Sequence, residues 1–314
     1  AMSVSLSFRR ISPRIRSRCR VFSCVSGLGR RLLIANRGEI CIRIARAAAD
    51  LDIQTVGIYA EDDASCLHTR RVDECIALRG VGPRAYLDSE QIVRIARDTG
   101  CSAVHPGYGF LSESSEFAHL CHQSGIAFVG PTQSQLALFG DKSRARQLAV
   151  TCGVPVLPGT LADTDRQSRT ECTTIDEAIE FVNSLPVHAK AVIKACSGGG
   201  GRGMRVVDDI SNLPELYSQC RREAEASFGD SRLYMEMFLP HAKHIEVQIV
   251  GDGTDVFSLG DRECSLQRSY QKLIEVAPSP TLSNDPFLRQ AITDAALKMA
   301  RETSYQSLGT FEFL

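Results

Sequence analysis

Residues 31–129 alternate between short apolar runs and segments of helical spacing, and this alternation is the strongest constraint on the fold. The run Arg31–Asn36 ends in a turn, and a second apolar run follows at Thr55–Tyr59. Between them, apolar residues recur on one face of a helix, at Ile40, Ile44, Ala47, Ala48 and Leu51. A strand–helix–strand unit of this kind requires a parallel pair and a right-handed crossover.

The alternation continues beyond this first unit. Helices are expected at Ser89–Asp98 and Ser114–Gln123, and strands at Ser102–Val104 and Ala127–Val129. We therefore predict an α/β doubly wound sheet. On the first helix the polar residues share the face opposite the apolar stripe, which favours a solvated face and leaves a polar subunit contact as the alternative. They are Arg43, Arg46 and Asp50.

The second half of the chain is expected to be α+β, because consecutive strands follow one another through tight turns. We place the boundary near Asp141, after the Phe139-Gly140 turn. Strands are expected at Ala191–Ala195, Gly203–Val207, Arg232–Glu236, His244–Val250, Asp255–Leu259 and Thr310–Leu314. Helices are expected at Ile175–Leu185, at Asn212–Ser227, and from Asn284-Asp285-Pro286 to about Glu302.

A glycine run between two predicted strands is the strongest local signal of function. Gly198-x-Gly200-x-x-Gly203 formally matches the dinucleotide fingerprint, but a strand follows it where that fingerprint requires a helix. No Gly-Lys-Ser/Thr ending is present, so the run is not a P-loop. We interpret it as a flap whose backbone N–H groups close over phosphates, with a simple hairpin tip as the alternative.

Lysines and carboxylates in the neighbouring strands support a phosphate site. Lys194 lies inside the apolar strand that enters the flap, where an ammonium is costly without a partner such as phosphate. Lys142, at the start of a helix, and Lys272, in another strand, are further candidates, and Glu312 lies opposite its apolar neighbours in the last strand. Cations for phosphate and a carboxylate for Mg²⁺ suit Mg-ATP.

Glu236 marks a possible adenine site. It ends an apolar predicted strand, and the Phe238-Leu239 stretch follows it. The backbone of this segment could form a hinge that reads the edge of a purine. With this interpretation, the second half of the chain contains an expected site for the adenine base as well as expected sites for the phosphates and the metal.

The charge and cysteine content exclude several classes of protein. A formal net charge of −1 argues against a protein that mainly binds nucleic acid. No apolar run approaches the roughly 18 residues of a membrane span. The 12 cysteines form no C-x-x-C pair and no zinc-type spacing, so we expect buried, reduced thiols, with neither a metal cluster nor a disulfide framework.

The first 31 residues contain eight arginines, many serines and no acidic residue. This composition is typical of an organellar transit peptide. We expect a mitochondrial location, with a cytoplasmic one as the alternative. A disordered basic tail or vector-derived residues would explain the same composition, so residues 1–30 take no part in the fold prediction.

A series of blocks, in family order from residue 31 onward, resembles the biotin carboxylase domain of biotin-dependent carboxylases. The blocks are Leu33–Ile40 (LIANRGEI), His105–Glu113 (HPGYGFLSE), Gly140–Lys142 (GDK), Lys194–Met204, His244–Gln248 (HIEVQ), Cys264–Arg268 (CSLQR), Gln271-Lys272 and Gly309–Phe313 (GTFEF). Together they are highly specific.

The resemblance implies an ATP-grasp enzyme that phosphorylates bicarbonate with ATP and then carboxylates biotin on a carrier domain. It implies that the basic segment at 1–30 is followed by a Rossmann-like (pre-ATP-grasp) domain at 31–140 and by an incomplete α+β ATP-grasp domain at 141–314 with a lid at about 190–240. The implied cofactors and substrates are ATP, Mg²⁺ or Mn²⁺, bicarbonate and biotin. The implied partners are a biotin carboxyl carrier and a carboxyltransferase, with a homodimer for the complete enzyme.

The resemblance also assigns roles to individual residues. Lys142 and Lys194 would contact ATP phosphates, and Gly200 and Gly201 would belong to the phosphate flap. Glu236 and Leu239 would hold adenine through their backbone. His244 and Gln267 would line the ribose and phosphate region. Lys272 would approach bicarbonate and the transferred phosphate, and Glu312 would be the first Mg²⁺ ligand.

Two departures from the family pattern affect these expectations. Tyr270 stands where the family usually has a histidine, so nucleotide affinity is expected to differ. The family's second Mg²⁺ carboxylate and a catalytic arginine would lie beyond Leu314, so we expect this chain alone to be inactive. The alternatives are an ATP-binding or dimerising regulator without catalytic activity, and another ATP-grasp ligase such as carbamoyl phosphate synthetase.

Overall fold

A computed structural model describes residues 31–160, 174–197, 203–268 and 271–314. The strands are β1 (Arg31–Ile34), β2 (Gln54–Tyr59), β3 (Glu74–Ala77), β4 (Ala103–His105), β5 (Ala127–Phe128), β6 (Lys190–Ala195), β7 (Met204–Val207), β8 (Leu233–Phe238), β9 (Ile245–Asp252), β10 (Val256–Arg268), β11 (Gln271–Val276) and β12 (Gln306–Phe313). The α-helices are α1 (Gly38–Ala49), α2 (Ser89–Asp98), α3 (Ser115–Gln123), α4 (Gln133–Gly140), α5 (Lys142–Thr151), α6 (Ile175–Ser184), α7 (Leu213–Phe228), α8 (Pro280–Ser283) and α9 (Pro286–Glu302). Short 3₁₀ helices span Glu61–Asp63, Leu67–Arg70, Pro83–Leu87 and Ile210–Asn212.

The chain divides into two units between Gly130 and Pro131. In the first unit a five-stranded sheet has the order β3-β2-β1-β4-β5, and all its pairs are parallel. The predicted doubly wound α/β sheet is therefore confirmed. Strand β3 was missed, because its four residues, Glu-Cys-Ile-Ala, are too few to establish a period.

The buried face of α1 differs from the predicted stripe. Cys41, Ala45 and Ala48 are buried, whereas Ile44 is only partly buried. Leu51 was expected on the apolar face, but it lies beyond the end of the helix and is 59% exposed. Of the predicted stripe only Ala48 is buried, whereas Cys41 and Ala45 were not predicted; small residues at these positions permit the close approach of the helix to the sheet.

A polar junction fixes the loop after β4 against the loop after β1. The buried side-chain amide of Asn36 donates to the carbonyl oxygens of Pro106 (2.7 Å) and Tyr108 (2.9 Å). Gly107 lies between these acceptors with φ +68°, and a Cβ there would lie 2.6 Å from Cγ2 of Ile40. Only glycine fits this position, because the backbone conformation and the space both exclude a side chain.

The second unit contains two sheets, each covered by helices. The three-stranded antiparallel sheet, in the order β7-β6-β8, packs against α6 and α7 around a buried cluster that includes Ile193, Leu213 and Met235. The four-stranded antiparallel sheet has the order β11-β10-β9-β12. Its apolar face packs on α9 through a cluster that includes Val247 and Ala296. This is the expected α+β arrangement.

Two predictions of local structure in this unit were wrong. The expected Phe139-Gly140 turn is the last part of α4, a helix that begins with a capping box between Thr132 and Gln135. Phe139 packs edge-on against Phe311 at a centroid distance of 5.5 Å. Strand β10 is much longer than the predicted Asp255–Leu259. Its second half is rich in polar residues, and it pairs with strands on both sides, which stabilises it despite its polarity.

Burial explains the state of the thiols. Burial raises the pKa of Cys41 and Cys121 to about 12 and that of Cys220 to about 11. These thiols remain protonated at neutral pH and pack as small apolar side chains. In the described ranges, none of the helices has both the length and the apolar character that crossing a membrane requires.

Candidate nucleotide and catalytic site

The first cluster of functional side chains lies on β6, β8 and α5. Lys194 forms an ion pair with Glu236, and Arg146 contacts the other oxygen of the same carboxylate, with Nη1 3.0 Å from Oε2. Glu236 is only 5% exposed. Lys142 lies at the first position of α5, and its Nζ donates to the carbonyl oxygen of Ala195 at 3.2 Å.

Strand register explains this arrangement. Lys194 pairs with Tyr234, and Val192 pairs with Glu236, so Lys194 and Glu236 are diagonal neighbours on one face of an antiparallel pair. The expected phosphate partner of Lys194 is thus a carboxylate in this structure. Glu236 lies inside β8, although we predicted it at the end of a strand. Its position in the strand interior places its side chain between two cations.

The first cluster carries an excess of positive charge. Burial lowers the pKa of Lys142, and the charge of Lys194 lowers it further. Lys194 and Arg146 share the Glu236 carboxylate, and the ammonium of Lys142 lies near enough to be influenced by the charges of Lys194 and Glu236. Repulsion among buried cations is relieved by an anionic ligand, and a polyphosphate meets that requirement.

The second cluster is a row of charges across three strands. Glu246 on β9 lies directly opposite Arg262 on β10 and Glu312 on β12. Arg262 Nε is 2.5 Å from Glu246 Oε2. Glu246 is fully buried, whereas the Glu312 side chain is 54% exposed. Two carboxylates opposite each other repel, so this pair requires a cation between them.

Lys272 supplies that cation. Its ammonium group donates to Glu246 and, at 2.6 Å, to Oε1 of Glu312. Burial alone would lower the pKa of Lys272, but its hydrogen bonds to the two carboxylates raise it. The pKa of Glu312 is lowered to about 2, first by its hydrogen bond with His244 and then by Lys272. Lys272 and Glu312 are therefore both charged at neutral pH.

His244 and Gln267 lie beside this row. The Gln267 side-chain amide nitrogen is 2.6 Å from His244 Nδ1, and His244 Nε2 is 3.4 Å from Glu312 Oε2. Four predicted site residues, His244, Gln267, Lys272 and Glu312, thus meet in one cluster. Leu239 follows β8 directly, three positions after Glu236. Gly200, Gly201 and Tyr270 lie outside the described residues.

Three residues of these clusters were missed by the sequence analysis. Glu246 stands two positions after His244 in a strand, so both side chains lie on the same face. Arg146 stands four positions after Lys142 in α5, so the two share one side of the helix. Those spacings could have identified both residues. Arg262 lies in the part of β10 that was not predicted as a strand.

The second cluster fits a magnesium ion bound mainly through one carboxylate. One ligand atom from each of His244, Glu246 and Glu312 lies within 4.8 Å of the others. Both carboxylates contact Lys272, but Glu246 is fully buried and Glu312 is half-exposed, so Glu312 is the more accessible oxygen ligand. Mg²⁺ prefers oxygen ligands and is commonly bound by one or two carboxylates together with substrate phosphates.

Comparisons with known proteins extend these observations to a family. A model described as the biotin carboxylase N-terminal domain matches residues 29–136. A model described as the carbamoyl-phosphate synthase L chain ATP-binding domain matches residues 141–314. The two matches describe a biotin carboxylase N-terminal domain that is followed by an ATP-binding domain.

Two curated relatives of this chain are pyruvate carboxylases. The chain is 45% identical over 288 residues to pyruvate carboxylase from Staphylococcus aureus, covering 91% of this chain and 24% of that protein. It is 43% identical over 290 residues to human mitochondrial pyruvate carboxylase, covering 91% of this chain and 23% of that one.

Two solved structures extend the comparison to the fold. The biotin carboxylase domain of 2-oxoglutarate carboxylase from Hydrogenobacter thermophilus, solved with MgADP and bicarbonate, has a TM-score of 0.83 and 39% identity, over 91% of this chain and 61% of that chain. Campylobacter jejuni biotin carboxylase has a TM-score of 0.83 and 36% identity, over 90% of this chain and 61% of that chain.

The chain belongs to the biotin carboxylase family. It spans about a quarter of the length of the curated relatives that it matches, and about three-fifths of the two biotin carboxylase structures.

Proposed function

We propose that this chain carries the MgATP and bicarbonate sites of an enzyme that carboxylates biotin. The observation that carries the proposal is the position of Lys272 between Glu246 and Glu312, at the same sheet face as His244. A cation held between carboxylates beside an accessible metal ligand suits phosphoryl transfer, which depends on positioning and on stabilising charge.

The first cluster is the proposed phosphate site. Lys142 and Lys194 bind the ATP phosphates, which replace part of the interaction between Lys194 and Glu236. Gly200 and Gly201, which lie outside the described residues, are proposed to contribute backbone N–H groups to the same phosphates. The backbone of Glu236 and Leu239 holds the adenine, and His244 and Gln267 line the ribose and phosphate region.

The proposed reaction has two steps. A bicarbonate oxygen attacks the γ-phosphorus of ATP, the bond from phosphorus to the bridging oxygen of ADP breaks, and carboxyphosphate and ADP form. The carboxyl group then passes to a ureido nitrogen of biotin, the departing phosphate takes the proton from that nitrogen, and inorganic phosphate leaves. Lys272 orients bicarbonate and stabilises the negative charge on the transferred phosphoryl group.

Glu312 is the proposed first ligand of Mg²⁺ or Mn²⁺. When bound, the metal neutralises charge on the outer phosphates of ATP. Hydrogen bonds with His244 and with Lys272 keep the Glu312 carboxylate ionised, which is the state that binds a cation. His244 restricts the orientation of the same carboxylate through its contact with Oε2.

The direct test is the formation of carboxybiotin from labelled bicarbonate. The full-length protein that contains this sequence should transfer ¹⁴C from bicarbonate to biotin in the presence of ATP and Mg²⁺. Lys272→Gln should abolish the transfer. Bicarbonate-dependent ATP hydrolysis without labelled biotin, but with a labelled carbamoyl product from an ammonia donor, would favour a carbamoyl phosphate synthetase instead.

The partners of the proposed enzyme follow from its chemistry and its relatives. Biotin is presented on a biotin carboxyl carrier, and a carboxyltransferase consumes the product. A homodimer is proposed for the complete enzyme, with the exposed Arg43 and Arg46 of α1 and Asp50 directly after the helix as a candidate contact. Reversing the charge of Arg43 and Arg46 should shift the mass measured by light scattering from dimer to monomer if this face is the contact.

We also propose a mitochondrial location, directed by residues 1–30. The arginine-rich, acid-free composition of this segment supports the proposal, as do the mitochondrial pyruvate carboxylases among the relatives. Residues 1–30 fused to a fluorescent protein should direct it to mitochondria. The same segment with its arginines changed to glutamine should leave the fusion in the cytosol, and import of both would contradict a role for the arginines.

A further inference from the structure

One arginine, Arg232, joins the two segments that carry Lys142 and Lys194. It lies directly before β8, and its carbonyl oxygen accepts a hydrogen bond from the amide of Cys196 at 2.9 Å. Its guanidinium reaches Asp141, with Nη2 3.2 Å from Oδ2. Arg232 therefore contacts the end of the Lys194 strand through its main chain and the start of the Lys142 helix through its side chain.

Asp230 holds this guanidinium in one orientation. Arg232 Nε lies 3.0 Å and 3.1 Å from the two carboxylate oxygens, and Nη2 lies 2.8 Å from Oδ2. Asp230 also accepts a hydrogen bond from Ser197 Oγ at 2.5 Å. Burial opposes ionisation of Asp230, but its hydrogen bonds from Arg232 and Ser197 lower its pKa to about 2. The carboxylate is therefore charged at neutral pH, and it ties Arg232 to the segment that follows β6.

The two oxygens of Asp141 have different partners. Oδ1 caps α5 by accepting from the backbone amides of Ser143 (2.9 Å) and Arg144 (3.2 Å), whereas Oδ2 faces Arg232. Loss of Arg232 would therefore leave the helix cap intact and release only the outward contact. Asp141 thus has two separable functions: Oδ1 caps α5, and Oδ2 forms the contact with Arg232 that we call the tether.

Lys142 depends on the same junction. Its backbone amide donates to the carbonyl oxygen of Cys196 at 3.2 Å, and its ammonium donates to that of Ala195 at 3.2 Å. Cys196 thus connects to both ends of the network, donating to Arg232 and accepting from Lys142. A shift of α5 relative to β6 would change the separation of the two lysines directly.

We propose that Arg232 is a positioning residue that holds the start of α5 against the end of β6 and so sets the spacing of Lys142 and Lys194 for the phosphates of ATP. The inference rests on the proposed function, because it assigns Arg232 a role in nucleotide binding at that site. Arginine suits the role, since its planar fork of donors serves two carboxylates at fixed angles, whereas a lysine ammonium is a point charge.

The test compares Arg232→Met with the parent chain in two measurements. Calorimetry should show MgATP affinity reduced about tenfold, because small displacements of positioning groups have large effects on ligand contacts. Amide hydrogen exchange without nucleotide should be faster at Lys142 and Cys196 in the variant. Arg232→Lys should recover only part of the affinity, whereas a general packing role for the long side chain would be satisfied by methionine as well as by lysine.

Two further variants separate the tether from other effects. Asp141→Asn keeps a side-chain oxygen for the helix cap but removes the charge that attracts Arg232. Like Arg232→Met, it should lower the affinity for MgATP. Lys190→Met removes the ion pair of Lys190 with Asp208 at the far end of β6, and it should leave affinity unchanged.

Unchanged affinity and unchanged exchange in Arg232→Met would overturn the inference while the proposed function stands. Affinity lost equally in Lys190→Met would also overturn it, because the effect would then be a general loosening of β6. If the parent chain binds no MgATP, the proposed nucleotide site is wrong, and the role of Arg232 in that site falls with it. Even in that case the exchange measurement tests the contact itself. If the amide of Lys142 exchanges equally fast in Arg232→Met and in the parent chain, Arg232 does not hold the start of α5 against the end of β6.

Discussion

Replacement of Lys272 by methionine should destabilise the fold in a way that depends on pH. Lys272→Met keeps the length of the side chain but removes the charge between Glu246 and Glu312, which lie directly opposite each other. Two unit charges about 5 Å apart interact by about 3 kcal/mol at an effective dielectric constant of about 20. Because Arg262 still pairs with Glu246 and the Glu312 side chain is 54% exposed, solvent screening reduces the expected loss to about 1–2 kcal/mol.

The sign of the pH dependence follows from the two pKa shifts. The pKa of Glu312 is lowered to about 2, so its contribution to stability is present above the ordinary carboxyl pKa and is lost as pH falls through the lowered value. The pKa of Lys272 is raised, so its contribution is present below the ordinary lysine pKa and is lost as pH rises through the raised value. The difference between parent and variant should therefore be largest near neutral pH and should shrink towards pH 2.

Urea unfolding at pH 7 and at lower pH measures this difference. Lys190→Met is the matched control, because it removes an exposed ion pair and should change stability by less than about 0.5 kcal/mol. Equal stability losses in the two variants at pH 7 would refute the argument that Lys272 relieves repulsion between two carboxylates. A loss in Lys272→Met that stays constant as the pH falls would refute the electrostatic origin.

Three further predictions concern the nucleotide site and the first unit. Lys194→Ala should weaken MgATP binding about ten- to a hundredfold, because a charge-assisted contact contributes roughly 1.5–3 kcal/mol; calorimetry with unchanged affinity would remove Lys194 from the site. Glu236→Gln should lower the free energy of unfolding by about 3 kcal/mol, since it leaves Lys194 and Arg146 without their shared buried counter-charge; urea unfolding checks this, and a neutral result would mean that the cations rearrange. Gly107→Ala should cost about 2–4 kcal/mol from strain and overlap with Ile40. The control Gly125→Ala, where φ is +70° and no atom lies within 4 Å of the new Cβ, should cost only about 1 kcal/mol, and equal losses would contradict the steric argument.

The parallel sheet was predictable because its signals are local. Each strand of 31–129 that was predicted is a compact apolar run, each helix has its own period, and α2 and α3 also have side-chain caps at Asp88 and Ser114. Strand β10 was not predictable in the same way, since Asp261, Arg262 and Glu263 are polar and belong to a strand only because β9 and β11 pair with it. Because Arg262 lies in this part of β10, its contact with Glu246 was not predictable either.

The candidate site was predictable in its residue types but not in its pairing. Lys194, Lys272 and Glu312 were identified individually as phosphate or metal contacts. Their partners inside the protein, Glu236 and Glu246, depend on strand register, which a single sequence does not specify. The register decides which charges neutralise each other before any ligand binds.

The fate of bicarbonate oxygen tests the central claim most directly. In the proposed reaction a bicarbonate oxygen bonds to the γ-phosphorus and stays there when the carboxyl group leaves. With ¹⁸O-labelled bicarbonate, ATP, Mg²⁺ and biotin, the full-length protein should release inorganic phosphate that contains one ¹⁸O atom from bicarbonate, and Lys272→Gln should release none. Phosphate whose one newly acquired oxygen comes from water, released at a rate independent of bicarbonate, would contradict carboxyphosphate formation and with it the proposed function.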